Sequence, residues 1–329
     1  ITEEIAHANS MMMRASQKAV TVFVDQEMVY RYDGNRGSRR IKIPGYVNHF
    51  VWLEGPLVGK ELRIETIAHS ERTSGTFHEV FLGSRVSQIG ALLAYDGFSL
   101  VVGLLSLMTS AVVALLSLLL LRRLEVFHSA LAFAGIEFCA GLWICGGSMS
   151  TQLLIHNQLV LLVAGVVAMF LLPVFLTRFV TTMYHIPQSV FLGRIVLIFP
   201  VGFIVGSLFQ LAGVITYHDM LTPAAIVLLS YLIMLVWFSY SSYRQGNSAV
   251  REFLVAIACL LASVIGELIL LLLPFMTLLN ALVLNMGIIA FGTVLLRQVL
   301  MLIMRFVEKK GRDEYLEHLA HTDGLTGLP

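Results

Sequence analysis

The 329 residues are 57% hydrophobic and only 13% charged, with a net charge of +1; their mean hydropathy is +0.82. A soluble globular chain averages about 25% charged residues, so this balance points to a membrane protein. The near-zero net charge gives no sign of a nucleic-acid partner.

The charges are unevenly placed. Residues 1–96 hold 22, residues 97–300 only 12, and residues 301–329 another 9. This divides the chain into a polar head, an apolar body and a polar tail. The chain starts at Ile1 and shows no signal peptide; it reads as part of a longer protein.

The head predicts strands. Ala19–Tyr32 ("AVTVFVDQEMVYRY") alternates and is rich in β-branched and aromatic residues, and Asp33–Asn35 ("DGN") is a turn signal. "KELRIETIAHS" and "TFHEVFLGS" have the same character. Residues 1–96 are therefore expected to form an extracytoplasmic, β-sandwich-like sensor domain, complete or in part. Its aromatics Tyr30, Tyr32, Tyr46, Phe50 and Trp52 suit either sandwich core or stacking on a sugar or other external ligand. Leu82–Leu93 ("LGSRVSQIGALL") leads into the apolar body.

A spanning helix needs about 20 mostly apolar residues. Seven runs qualify, near 98–121, 126–148, 158–181, 194–215, 222–243, 252–273 and 277–303, giving a seven-helix transmembrane bundle over 97–303. Lipid cannot satisfy free backbone groups, so helices are the expected form. The connections at Arg122–Arg123, around Arg194 and from Arg244 to Arg251 carry arginine. Those at Ser148–Gln158, Thr216–Pro223 and Pro274–Thr277 carry no lysine or arginine. Basic connections stay in the cytoplasm. The alternation predicts the head outside and the tail, with Arg305, Lys309, Lys310 and Arg312, on the cytoplasmic side. Cys139, Cys145 and Cys259 lie in apolar runs and read as small buried hydrophobes.

Polar groups at membrane depth are functional candidates by default. Glu137 lies near the middle of the second run. Gln210, Glu267, Asn280 and Asn285 lie in the outer halves of the fourth, sixth and seventh. At 1.5 Å per residue they share roughly one layer, where a ligand pocket open to the outside could form. The structural alternative is interhelical hydrogen bonding that holds the bundle together. Arg178 is placed to snorkel to the inner interface, and Pro173 and Pro200 to kink their helices.

The tail, "MRFVEKKGRDEYLEHLAHTDGLTGLP", reads as a cytoplasmic signalling helix over 304–321. Tyr315, Leu316 and Leu319 form a short seam suited to pairing with a second copy, and Gly311 interrupts any longer heptad run. Residues 322–329 carry the most specific phrase. "LAHTDGLTGLP" resembles the opening motif of GGDEF diguanylate cyclase domains, Asp-x-Leu-Thr-Gly-Leu. It falls here on Asp323, Leu325, Thr326, Gly327 and Leu328. The Gly-Gly-(Asp/Glu)-Glu-Phe signature of that family is not in the chain, so no catalytic, metal-binding or nucleotide-binding residue is carried over.

With its head, its seven runs and its "LGS" approach at Leu82–Ser84, the chain is similar to the seven-transmembrane receptors with diverse intracellular signalling modules. The resemblance implies a mainly α bacterial membrane receptor, working as a homodimer and feeding cyclic di-GMP synthesis from two GTP with Mg²⁺ in an output domain. The chain itself would need no cofactor. Its partners would be membrane lipid and an unidentified external small molecule or carbohydrate. Two other readings start from the same residues. One is a transporter-like bundle using its membrane carboxylates for proton coupling, although no inverted repeat is visible. The other is a non-enzymatic receptor whose tail docks a separate cytoplasmic partner.

Overall fold

The computed structural model describes residues 8–16, 18–33, 46–54, 57–68, 80–121, 126–186, 189–215, 217–271 and 281–321. The head forms six strands: β1 (Ser10–Ser16), β2 (Lys18–Val24), β3 (Glu27–Tyr32), β4 (Tyr46–Trp52), β5 (Leu62–Ala68) and β6 (Val80–Gly83). They build two antiparallel three-stranded sheets, ordered β4-β1-β6 and β3-β2-β5. One residue separates β1 from β2, so the chain turns a corner from one sheet to the other. Alternate residues of both strands fill the shared core: Met11 and Met13 from β1, Val20 and Val22 from β2, joined by Val51.

Two features of the head differ from the sequence reading. The run Ala19–Tyr32 is a hairpin, with its turn at Asp25–Gln26. Both residues have positive φ, 48° and 74°, as a two-residue type I′ turn requires. Neither is glycine. The turn is held because Asp25 N–H donates to the Glu61 carbonyl at 3.0 Å and Glu61 N–H returns to Asp25 Oδ1 at 2.8 Å. The second difference is β1, "SMMMRAS", whose methionines gave no β-branched signal. The Asp33–Asn35 turn lies partly outside the described residues.

Among the described residues eight α-helices follow: α1 (Arg85–Leu116), α2 (Phe127–Gly147), α3 (Gln158–Tyr184), α4 (Ser189–Ile195), α5 (Ile198–Leu211), α6 (Tyr217–Arg244), α7 (Val250–Leu271) and α8 (Leu282–His321). Ser84 caps α1, its side chain accepting from Ser87 N–H at 3.2 Å. The helix thus begins inside the 1–96 segment and rises from the head before its apolar stretch. Among the described residues, six helices are long and apolar enough to cross a membrane: Arg85–Leu119, Phe127–Gly147, Leu159–Tyr184, Val190–Leu211, Asp219–Arg244 and Leu282–Lys309. The sixth predicted run coincides with α7, which is not one of these six helices and carries Arg251, Glu252 and Glu267. The protein is therefore mainly α, with the helices of a multi-pass membrane protein and a small β domain at its N-terminal end.

The fourth predicted run is broken in two, and the break precedes Pro200. Proline has no N–H to give the carbonyl four residues back, which is that of Val196. Phe199 N–H takes that carbonyl instead, at 3.1 Å. Pro200 then sits in the first turn of α5, where a missing donor costs nothing. Pro173, in contrast, lies well inside α3. The Thr177 hydroxyl donates to its carbonyl at 2.7 Å, and Tyr231 of α6 bonds Thr177 in turn. That pair ties α3 to α6 at the point where proline interrupts the ladder.

α2 is the most enclosed of the long helices. It is hydrophobic all round and rich in small residues, as a central helix should be. Phe133 of α2, Phe179 of α3, Leu235 of α6, Phe253 and Ile257 of α7 and Leu295 of α8 form the core of the helical part. On α1, Leu104, Leu105, Met108, Val112 and Leu115 face outward, an apolar surface suited to lipid.

Candidate functional site

Two contact zones matter for function: the junction between β domain and helices, and the seam where α1, α2 and α8 meet.

At the junction, Gln88 of α1 clamps two strands. Its Oε1 accepts from Ser10 Oγ at 2.8 Å, and its Nε2 donates to the carbonyls of Ser10 (2.8 Å) and Phe81 (3.2 Å). The Asn48 N–H of β4 donates to Gln152 Oε1 at 2.8 Å. Gln152 lies on the 3₁₀ turn Ser150–Leu153 between α2 and α3, so this lysine- and arginine-free connection lies beside the β domain. Asp96 of α1 fastens the same connection. Its Oδ2 accepts from Ser148 Oγ at 2.6 Å and from Ser150 N–H at 2.9 Å. Arg14 stacks over the Tyr95 ring at 5.1 Å, and Arg85 over Trp52 at 5.5 Å.

Below the junction, α1 presents Asp96, Ser99, Gly103, Ser106 and Ser110 at alternating steps of three and four, which places them on one face. The small residues let α2 approach closely. A Cβ at Gly103 would stand 2.6 Å from Cys145 Sγ, and Ser110 Oγ donates to the Ala134 carbonyl at 2.7 Å.

Along this seam α8 is held at three heights. At the end nearest the β domain, Asn285, 2% exposed, donates from Nδ2 to Ser99 Oγ at 2.9 Å. In the middle, the Glu137 carboxylate is 7% exposed, hydrogen-bonded to Ser106, and lies directly over Gly292. Toward the end far from the β domain, the Tyr184 hydroxyl of α3 donates to Gln298 Oε1. Gln298 Nε2 reaches Glu252 Oε2 of α7 at 3.3 Å, and Arg297 stands 3.8 Å from the same oxygen. From Asn285 to Gln298 is about 20 Å of helix.

The candidate residues thus separate into two groups. Glu137 and Asn285 share the α1–α2–α8 seam. Gln210 lies on α5, where its Oε1 accepts from Tyr217 N–H at 2.7 Å and so caps the start of α6. The carboxylate of Glu267 accepts from Ala281 N–H, and from Leu284 N–H at 3.3 Å. A negative group at the positive end of a helix is favourable, and Glu267 performs that service for α8. Asn280 lies outside the described residues, as does the motif of Asp323, Leu325, Thr326, Gly327 and Leu328. The helix of the tail continues from the bundle without a break to His321, and the side chains of Tyr315, Leu316 and Leu319 are not among those described. Sequence reasoning missed Asp96, Ser99, Ser106, Tyr184 and Gln298. The three-four spacing of small polar residues on α1 was a legible signal for the first three.

In the β domain, Tyr30 packs against the core, while the side chain of Tyr46 is not among those described. His49 of β4 is 1% exposed and lies between the sheets. Its Nδ1 is 2.8 Å from the Tyr30 hydroxyl, and its ring is 4.9 Å from that of Tyr32. Its Nε2 is buried with no hydrogen-bond partner among the described residues. Burial pushes the imidazole from 6.5 down to about 4, and the Tyr30 hydroxyl up to about 12. Trp52 stands on the surface, 54% exposed.

Two cavities open on the seam. The upper, about 130 Å³, is lined by Asp96, Ser99, Trp143, Ser148, Ala281 and Asn285 among others. The lower, about 170 Å³, is lined by Ser106, Thr109, Glu137, Gly292 and Thr293 with apolar neighbours.

The contact of α8 with Tyr184 has a measurable consequence. Gln298→Leu leaves the buried Tyr184 hydroxyl without its acceptor. Stability in lipid nanodiscs is expected to fall by about 1–2 kcal/mol, with the loss read from thermal unfolding. An unchanged midpoint would mean that Tyr184 finds another partner and that the latch is weak.

Compared with protein-family models, with curated proteins and with solved structures, the chain finds no match.

Proposed function

We propose that the chain is the sensing and membrane part of a bacterial receptor. It would relay an external signal through seven spanning helices, α7 included, to a cytoplasmic GGDEF domain that makes cyclic di-GMP from two GTP. The observation that carries this reading is the course of α8. It leaves the bundle as one uninterrupted helix ending at His321, two residues before the Asp323 of the cyclase-like phrase. A rigid helix held at three heights can transmit a small change in the bundle over its whole length, in place of a slack linker.

The β domain grips α1 and the α2–α3 connection, and both border the α8 seam. A ligand drives such a switch only if it binds one state better than the other. Two paired tails would bring two output domains together, each presenting one GTP. Mg²⁺ and GTP would be held by the output domain's own residues. The alternating loop charges support a head outside and a tail in the cytoplasm.

The test is cyclic di-GMP synthesis from GTP and Mg²⁺ by membranes carrying the full-length gene product. Activity is expected, and removal of the β domain should change its rate or its response. An intact gene product that ends near Pro329, or an output indifferent to loss of the head and bundle, would overturn the reading.

A further inference from the structure

The upper cavity of the seam has a chemistry of its own. One wall carries the Asp96 carboxylate. Its Oδ2 is engaged with Ser148 and Ser150, while Oδ1 makes no hydrogen bond among the described residues. Ser99, one turn along the same face of α1, accepts from Asn285 of α8 at 2.9 Å, so hydroxyl and amide are held at fixed positions. The Trp143 indole and the aliphatic side chains of Ile144, Leu284 and Ile288 complete the lining. None of the described residues lining the cavity is basic. A second carboxylate, that of Glu267, lies just behind it on the N–H groups of Ala281 and Leu284.

This combination selects among cations. A hard divalent ion wants six or more oxygen ligands, and a lining with one carboxylate, one amide, hydroxyls and apolar walls does not supply them. An organic ammonium needs less: one counter-charge, a few acceptors, and an aromatic or aliphatic surface for its carbon atoms. Indole is the best of the aromatic faces for a cation. The cavity, about 130 Å³, limits the guest to a few heavy atoms, since cavities of about 150 Å³ hold a molecule the size of benzene.

We infer that the cavity between α1, α2 and the start of α8 binds a small organic ammonium ion. Asp96 is its counter-ion, Trp143 its apolar wall, and Asn285 with Ser99 its polar positioning pair. The guest touches α8 at Asn285 and the α2–α3 connection through Asp96, so its presence bears on both the Asn285–Ser99 contact and the junction. As a binding site the cavity stands on its geometry. As the receptor's input it rests on the function proposed above.

Binding is tested on the purified protein in lipid nanodiscs by calorimetry and ligand-induced thermal stabilisation. The probes are tetramethylammonium and n-propylammonium, with tert-butanol as a neutral control of similar shape. At least one ammonium is expected to bind and tert-butanol to fail. Asp96→Asn keeps an acceptor for Ser148 and Ser150 and removes the charge, and should weaken binding roughly tenfold or more. Trp143→Leu, on a side chain that is 42% exposed and so tolerant of change, should weaken it roughly three- to thirtyfold. Absence of ammonium binding to the unsubstituted protein overturns the proposal. So does binding that neither substitution alters, or Asp96-dependent binding of Na⁺ or Ca²⁺ in place of the ammonium. An ammonium that binds in this way but leaves cyclic di-GMP output unchanged in full-length membranes sustains the site and overturns only its role as the input.

Discussion

Gly292→Leu is expected to disturb the packing of α8 against α1 and α2. A Cβ at this position would run into the Glu137 carboxylate, and the rest of the leucine side chain would follow it into the seam. The carboxylate ends a flexible side chain and borders a cavity of about 170 Å³, so it can give way, but only by leaving Ser106 among the packed faces of α1, α2 and α8. Overpacking of this kind costs about 1–3 kcal/mol. Replacing glycine inside a helix returns up to about 1 kcal/mol in propensity. The clash wins, since displacing the carboxylate also breaks its bond to Ser106. A net loss of about 1 kcal/mol is expected, measured by reversible unfolding in mixed micelles. Glu137→Ala removes the obstruction, so Gly292→Leu should cost far less in that background. Losses that simply add in the double variant would show that the glycine is not there to accommodate Glu137. If the chain works as the receptor proposed above, the single variant should also shift basal output of the full-length protein, since it disturbs the contact of α8 with α2 at mid-height.

The second large effect is acid sensitivity of the β domain. Burial holds the His49 imidazole at about 4 against its ordinary 6.5, so the folded state keeps it neutral. The unfolded chain takes up a proton below 6.5 and the folded chain does so only near 4. Stability attributable to His49 is therefore complete above pH 6.5. It is lost progressively as pH falls from 6.5 to about 4, to a total of about 3 kcal/mol. The physical source is an imidazole wedged between the sheets, with Tyr30 and Tyr32 against it and its Nε2 without a partner among the described residues. Hydrogen exchange of β3 and β4, corrected for intrinsic rates, should accelerate over that pH interval in the intact protein. His49→Gln cannot titrate and should flatten the dependence, even if it lowers stability at neutral pH. Equal acceleration in both proteins would place the acid response elsewhere.

Much of the architecture was legible in the order of the residues. Long apolar runs announce helices wherever lipid leaves the backbone no other partner, and the helices found fall on those runs. The strands of the head showed themselves where β-branched and aromatic residues alternate. They were hidden where methionine or an unusual turn took their place, as in β1 and at Asp25–Gln26. The break before Pro200 is a local effect, and the sequence placed it within a few residues because proline removes a particular donor.

By itself, then, the sequence determined which segments are helices, which are strands, and where polar groups fall within apolar runs. Only the tertiary structure decided what those polar groups do. Helical periodicity assigns a residue to a face but not to a neighbour. Glu137 and Asn285 meet the small face of α1, while Gln210 and Glu267, similar to them in sequence setting, fold back onto helix N-termini a few turns away. Asp96 reads as the last charge of the head and becomes the wall of a cavity, because α1 starts earlier than its apolar stretch and carries that carboxylate down to the seam. A buried polar group needs a partner, and which partner lies within reach is set by packing across the fold.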